Sequence, residues 1–259
     1  NVSKWLEANK LSLHLGKTES ILFGSKSHLK KTDKMEIVCN GNEIKAMESV
    51  KYLGARLDQE LSGNEMGLSV IKRVNKCLKF LYRKADYFST KERKMLCQSL
   101  CQPHFDYACN VWYRSMGKGL KNKLQTAQNK LIRYVLQYDS RQHLEYDDFV
   151  KVKYLSVEKR VDYLNICMMY KIYHGEAPSY MCNLARVTHN HATRNSTMSF
   201  IVPQVKSQGL KSFSYNGIKL WNSIPSYIRK ICSKEDFKFK CKKHMFNLMR
   251  LENQSEFTV

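Results

Sequence analysis

MGLSVIKRVNKCLKFLYRK, residues 66–84, decides the fold class. Val70, Val74, Cys77, Leu78 and Leu81 recur at helical spacing, not at the two-residue period of a half-buried strand. A second face carries Lys72, Lys76, Lys79 and Arg83, whose steps of four, three and four align the cations along one side. The stretch predicts an amphipathic helix, apolar toward a core and basic toward solvent or phosphate.

Helical patterning continues downstream. Ser89-x-x-Glu92 is a capping-box signature opening a second helix, expected to end near Gln102 because Pro103 disfavours helix in the residue before it. Gly119–Leu136 puts Leu120, Leu124, Ala127, Leu131 and Val135 on a buried side and leaves Lys121, Lys123, Lys130 and Arg133 for solvent or phosphate. Val157–His174 is amphipathic and runs into Gly175 and Pro178, the usual stop chemistry. His189–Gln208 reads as loops with a strand. Ser233-x-x-Asp236 opens a last helix with Phe237, Cys241, Met245 and Leu248 inward, and the tail after Leu251 is expected to fray.

Upstream the pattern changes. Ser3 is placed to cap a short helix through Trp5–Asn9, and Ser20–Gly24 is a short β-type run. Met35–Cys39 and Glu43–Met47 flank Asn40-Gly41, a hairpin signal because both turn positions tolerate positive φ. Ser49–Leu57 reads as one further strand, and Ser25–Lys34 as a polar, basic loop. The expected class is α+β, predominantly α-helical, divided at 1–62, 63–140 and 141–259.

Composition points to a polyanionic partner. Forty-four Lys+Arg against 23 Asp+Glu give a net charge of +21, the electrostatic footprint of a protein that neutralises phosphates. No apolar run approaches the roughly 18 residues of a membrane span. Nine cysteines without a framework read as reduced thiols of an intracellular protein, nuclear or cytoplasmic.

Two constellations imitate catalytic chemistry. Cys97-x₃-Cys101-x₂-His104-x₄-Cys109 offers four soft ligands, but its spacing departs from a zinc knuckle and two cysteines fall inside a helix, so core thiols are expected and no metal is assigned. Glu145-Tyr146-Asp147-Asp148 echoes a polymerase Tyr-x-Asp-Asp turn with its tyrosine misplaced, and reads as a solvated acidic loop. Trp112 and Trp221 are read as core anchors, with stacking on bases as the alternative.

Ordered blocks carry a family resemblance. Trp5-x₃-Asn9-x-Leu11-x-Leu13-x₃-Lys17-Thr18-Glu19-x-Ile21-x-Phe23-Gly24, followed by Val50-Lys51-Tyr52-Leu53-Gly54-x₂-Leu57-Asp58, resembles the fourth and fifth palm motifs of LINE-type, jockey-like non-LTR retrotransposon reverse transcriptases. Ser99-x₃-Pro103-x-Phe105-x-Tyr107-Ala108-x₂-Val111-Trp112 and Leu124-Gln125-x₂-Gln128-Asn129-Lys130-x₂-Arg133 resemble the family's thumb. Leu155-x₄-Arg160, Ala177-Pro178-x-Tyr180 and Leu220-Trp221-Asn222-x-Ile224-Pro225 resemble its C-terminal region. His14 departs from the Asn common in the family.

The resemblance implies a palm-end β-sheet remnant, a helical thumb and a helical C-terminal region. It implies RNA-directed DNA synthesis in the parent enzyme, with Mg²⁺ there and no cofactor bound by this chain. Lys17 would be a pyrophosphate-side lysine, Lys51–Gly54 a primer grip in which Tyr52 or Leu53 points inward, and an RNA/DNA template–primer hybrid the partner. Lys72, Lys76, Lys79, Arg83, Lys121, Lys130 and Arg133 would bind its phosphates. The family's Tyr-x-Asp-Asp turn lies upstream of such blocks, whereas this sequence opens at Asn1, so the chain alone is expected not to polymerise. A non-catalytic nucleic-acid-binding protein, or a decayed relic, is the alternative.

Overall fold

Short β-segments with largely exposed faces occupy the first 58 residues of the computed structural model, which describes residues 2–32, 36–39, 41–183 and 198–256. Helix α1 (Val2–Ala8) runs through Ser3 instead of starting after it. Strand β1 is only Glu19–Ser20, so the expected run to Gly24 is not regular; Gly24 instead donates its amide to Gln59 O at 3.1 Å. The polar stretch expected as a loop contains helix α2 (Lys26–Lys31), because the Ser25 hydroxyl accepts the His28 amide and caps it. Strands β2 (Ile37–Cys39) and β3 (Asn42–Ala46) pair antiparallel, with Gly41 at φ 75° between them, and β1 adds in parallel to β3. Met35 and Asn40 of the expected hairpin lie outside the described residues.

The expected single strand Ser49–Leu57 is a hairpin. Strand β4 (Ser49–Tyr52) turns back into β5 (Ala55–Asp58), with Lys51 opposite Arg56 and Tyr52 opposite Ala55. Leu53 and Gly54 both take positive φ, 45° and 85°, as a two-residue hairpin turn of the primed kind requires. Leucine rarely adopts that conformation. Here the Tyr107 hydroxyl donates to Leu53 O and the Tyr107 ring lies against Gly54.

At the end of β5, Asp58 organises the start of the helical part. Its carboxylate accepts the Ser62 and Gly63 amides at 2.8 and 3.1 Å. Helix α3 (Asn64–Tyr82) then buries Met66, Val70, Val74, Leu78 and Leu81, close to the stripe read from sequence. Cys77 sits at the edge of that stripe, half-buried.

Ser89 and Glu92 form the expected capping box at the start of α4 (Thr90–Leu96). The helical path does not end near Gln102. A π turn (Cys97–Cys101) passes directly into α5 (Gln102–Asp106), with Pro103 in its first turn. Proline is accommodated there because the π turn, in which the Gln102 amide reaches back five residues to Cys97 O, already breaks the ordinary i→i−4 ladder just before it.

Helices α6 (Cys109–Trp112), α7 (Lys118–Leu136) and α8 (Tyr146–Val152) follow. Leu124, Ala127, Leu131 and Val135 of α7 meet the buried face of α3 in one core. Gln128 donates to Leu155 O and Gln125 accepts the Val157 amide, both at 2.9 Å, so α7 side chains seat the start of α9 (Val157–Tyr173). Val157 and Val161 belong to the first core, while Ile166, Met169, Tyr170 and Ile172 belong to a second. The two packed clusters therefore meet within α9.

The second core also gathers α10 (Ser179–Cys182), α11 (Phe213–Ser223), α12 (Ser226–Arg229) and α13 (Lys234–Glu256). Trp221 is fully buried among Tyr173, Phe200 and Phe237, and its indole donates to Met198 O at 2.7 Å. Residues 189–197 of the segment read as loops with a strand lie outside the described residues. Among the described residues no helix is long and apolar enough to cross a membrane.

Candidate nucleic-acid interface

Burial of one side of α3 dictates what the other side presents. Lys72, Lys76, Lys79 and Arg83 are all exposed, and none forms an ion pair among the described residues. Eleven helical steps lead from the first to the last, roughly 16 Å of helix at 1.5 Å per residue. That length matches about five phosphates of one duplex strand at 3.4 Å each.

The α7 cations are less uniform. Lys130 is exposed. Lys121 is half-buried with its ammonium 5.1 Å from the centroid of the Tyr113 ring. Burial, with Arg114 and Lys211 nearby, pulls its pKa below the ordinary lysine range. Arg133 donates from Nε to Gln142 O at 2.7 Å, holding the loop after α7. Lys121 and Arg133 thus have structural work that their sequence pattern did not reveal.

At the hairpin, Tyr52 and Leu53 are 63% and 76% exposed. The expectation that one of them points inward fails because Leu53 belongs to the turn, where strand alternation does not apply. Lys51 and Arg56 are both exposed and directly opposed, and like charges in that register cost stability unless a ligand compensates them. Arg56 was missed in sequence because the hairpin was read as one strand. Lys17 ends a 3₁₀ turn (Leu15–Lys17) and is exposed, with no ion pair among the described residues.

The two catalytic look-alikes serve the fold. Cys97, Cys101 and Cys109 have no exposed surface and lie in the first core. Burial pushes the Cys109 thiol up to about 12, and the Cys97 thiol is raised by its hydrogen bond with Cys101 and by burial. Trp112 is also core, its indole donating to Tyr107 O at 2.9 Å, so neither it nor Trp221 offers a face to a base.

Asp148 does not sit in a solvated acidic loop. It is 5% exposed and caps α8, accepting the Glu145 amide at 3.1 Å, the Tyr138 hydroxyl at 2.9 Å and the Lys151 ammonium at 3.1 Å. Burial pushes its carboxyl up, but those three donors outweigh burial and hold it below the usual range. A depressed folded pKa contributes stability above the unfolded value, near 3.9, that is lost as pH falls through the folded one. Asp148→Ala should therefore cost about 1–2 kcal/mol at neutral pH and remove part of the acid destabilisation below about pH 4. A wild-type acid melt indistinguishable from the variant's would refute that role.

No protein-family model matches this chain, and no match was found among characterised proteins or solved structures. The functional reading rests on the residues themselves.

Proposed function

We propose that this chain grips an RNA/DNA template–primer hybrid, as the segment of a LINE-type reverse transcriptase that follows the catalytic turn. The observation that carries the proposal is the row of four exposed cations along α3 (Lys72, Lys76, Lys79 and Arg83), none of them ion-paired among the described residues. A solvated helical face would also be charged, but would ordinarily mix signs. From Lys72 to Arg83 this one is cationic at every step, with Glu65 on the same face two turns nearer the helix start, in a chain of net charge +21. Lys130 is a further exposed cation, on α7, and the β4–β5 hairpin offers Lys51, Arg56 and Tyr52 to a primer end. Nucleotidyl transfer needs two metal ions held by carboxylates, and this reading assigns none here; Mg²⁺ belongs to the parent enzyme. Joined to an upstream Tyr-x-Asp-Asp segment, the chain would serve a polymerase; without one it would be a binding module.

Replacing all four α3 cations with alanine should weaken hybrid binding to the same degree for unrelated sequences, because phosphate contacts position a duplex without reading it. Unchanged affinity would remove the face from the proposal. At the hairpin, Tyr52→Ala should change stability by less than about 0.5 kcal/mol, as exposed substitutions do. It should weaken binding to a recessed primer end more than to blunt duplex. Equal loss on both ligands would show that the hairpin does not contact the primer end.

A further inference from the structure

A cavity of about 310 Å³ opens where the π turn and α5 meet α9 and α13, at the lower end of the size range of small-ligand sites. Lys153, Arg160 and Lys242 stand in its wall with Gln98, Gln102 and Tyr154. Asp106 is the only acid of that lining, so three cations face one carboxylate and the wall is left at +2.

That carboxylate is already committed. Asp106 accepts Arg160 Nε at 3.0 Å and Gln102 Nε2 at 2.9 Å on Oδ1, and an Arg160 Nη2 hydrogen at 2.8 Å on Oδ2. The pair fixes the guanidinium while leaving its Nη1 hydrogens unused by Asp106. Among the described residues neither Lys153 nor Lys242 forms an ion pair, nor does Lys94, which lies close enough to both to feel their charge. Lys242 is half-buried, and burial together with Arg160, Lys94 and Lys153 pulls its ammonium below the ordinary lysine range. Tyr154 is 5% exposed, and its hydroxyl is a donor without a partner among the described residues.

Gathering cations against their mutual repulsion, partly out of water, is unfavourable unless an anion compensates them. A guanidinium, two ammonium groups and amide donors match a tetrahedral oxyanion, and a doubly charged one balances the +2 that a carboxylate would only halve. We infer that this cavity is a binding site for a phosphate dianion, carried by inorganic phosphate or by the terminal phosphate of a nucleic-acid strand. A larger groove of about 900 Å³ shares Asp106 and Arg160 with it and is edged by Lys171, Lys234 and Lys238, which gives a strand somewhere to run. The inference does not depend on hybrid binding at α3.

The test uses the full chain and its Lys153→Gln, Lys242→Met double variant, which removes both charges and keeps an unbranched stem at each position. Inorganic phosphate should raise the Tm of the wild type saturably over chloride at equal ionic strength. The variant should lose that rise while melting in chloride at least as high as wild type, since repulsion has been relieved. An equal phosphate-induced rise in both proteins would overturn the site, as would an equal rise in chloride. Should the double variant not fold, Lys153→Gln alone, on an exposed side chain, should at least halve the response, and an unchanged response would again overturn the site. Oligonucleotides with and without a 5′-phosphate distinguish the sources. Roughly tenfold tighter binding of the phosphorylated strand, lost in the variant, assigns a strand end, whereas equal binding with a persisting phosphate response assigns free phosphate. Intact hybrid binding by the variant would separate this site from the α3 face.

Discussion

Gly63→Ala should destabilise the protein by roughly 3 kcal/mol or more, the largest effect expected of any single methyl added here. Gly63 has φ 72° and is buried where the β4–β5 hairpin hands over to α3. A Cβ built there would stand 2.2 Å from Trp112 O, a backbone atom that no side-chain rotation can move away. Gly175 supplies the internal comparison. It has nearly the same φ, 69°, but no atom lies within 4 Å of its Cβ position. Gly175→Ala should cost only the conformational part, about 1 kcal/mol. Urea melts of the two variants measure the difference, and equal costs would mean that the contact with Trp112 is not tight.

Arg93→Met should cost about 3 kcal/mol. This arginine is 8% exposed and forms no ion pair among the described residues. Its guanidinium donates to Phe88 O at 3.0 Å, Tyr134 O at 3.3 Å and Ala85 O at 2.8 Å, and sits 5.2 Å from the Tyr134 ring centroid. One side chain thereby ties the turn after α3 to α4 and α7. Methionine fills similar space but strands Phe88 O and Tyr134 O, each a penalty of about 1–3 kcal/mol if left unpaired, while Ala85 O keeps the Phe88 amide at 3.1 Å. Arg93→Lys should recover less than half of the loss, because an ammonium cannot reach three carbonyls from one position. A methionine variant as stable as wild type would show that water satisfies these groups.

Long helices with sustained apolar stripes were legible in the sequence. In α3, α7 and α9 many residues vote for one period, and burial of that stripe is what stabilises the element. The N-terminal block was less so. Its strands are two to five residues long, and its decisive turn rests on Leu53 adopting a positive φ that local propensity opposes. Tyr107, 54 residues away, holds that turn, and no window along the chain contains both partners. Reading β4 and β5 as one strand then misassigned Tyr52 and Leu53 and concealed the Lys51–Arg56 pairing. The path through Pro103 was missed for a related reason, since a π turn has no simple residue signature. Of the candidate interface, the α3 row was visible because it obeys helical spacing. The structural roles of Arg93, Lys153, Arg160 and Lys242 leave no periodic signal in the sequence, because only the fold brings their neighbours to them.

The central claim, that the basic face of α3 tracks a phosphate backbone, is tested most directly by the salt dependence of hybrid binding. Each phosphate contact contributes roughly −0.7 to −0.9 to the slope of log affinity against log salt, so removing Lys72, Lys76, Lys79 and Arg83 together should flatten the slope by about 3. Between about 50 and 200 mM salt the wild type should lose roughly sixty-fold more affinity than the quadruple alanine variant. Parallel slopes for the two proteins would contradict the claim and leave the row of cations as a solvated helical face.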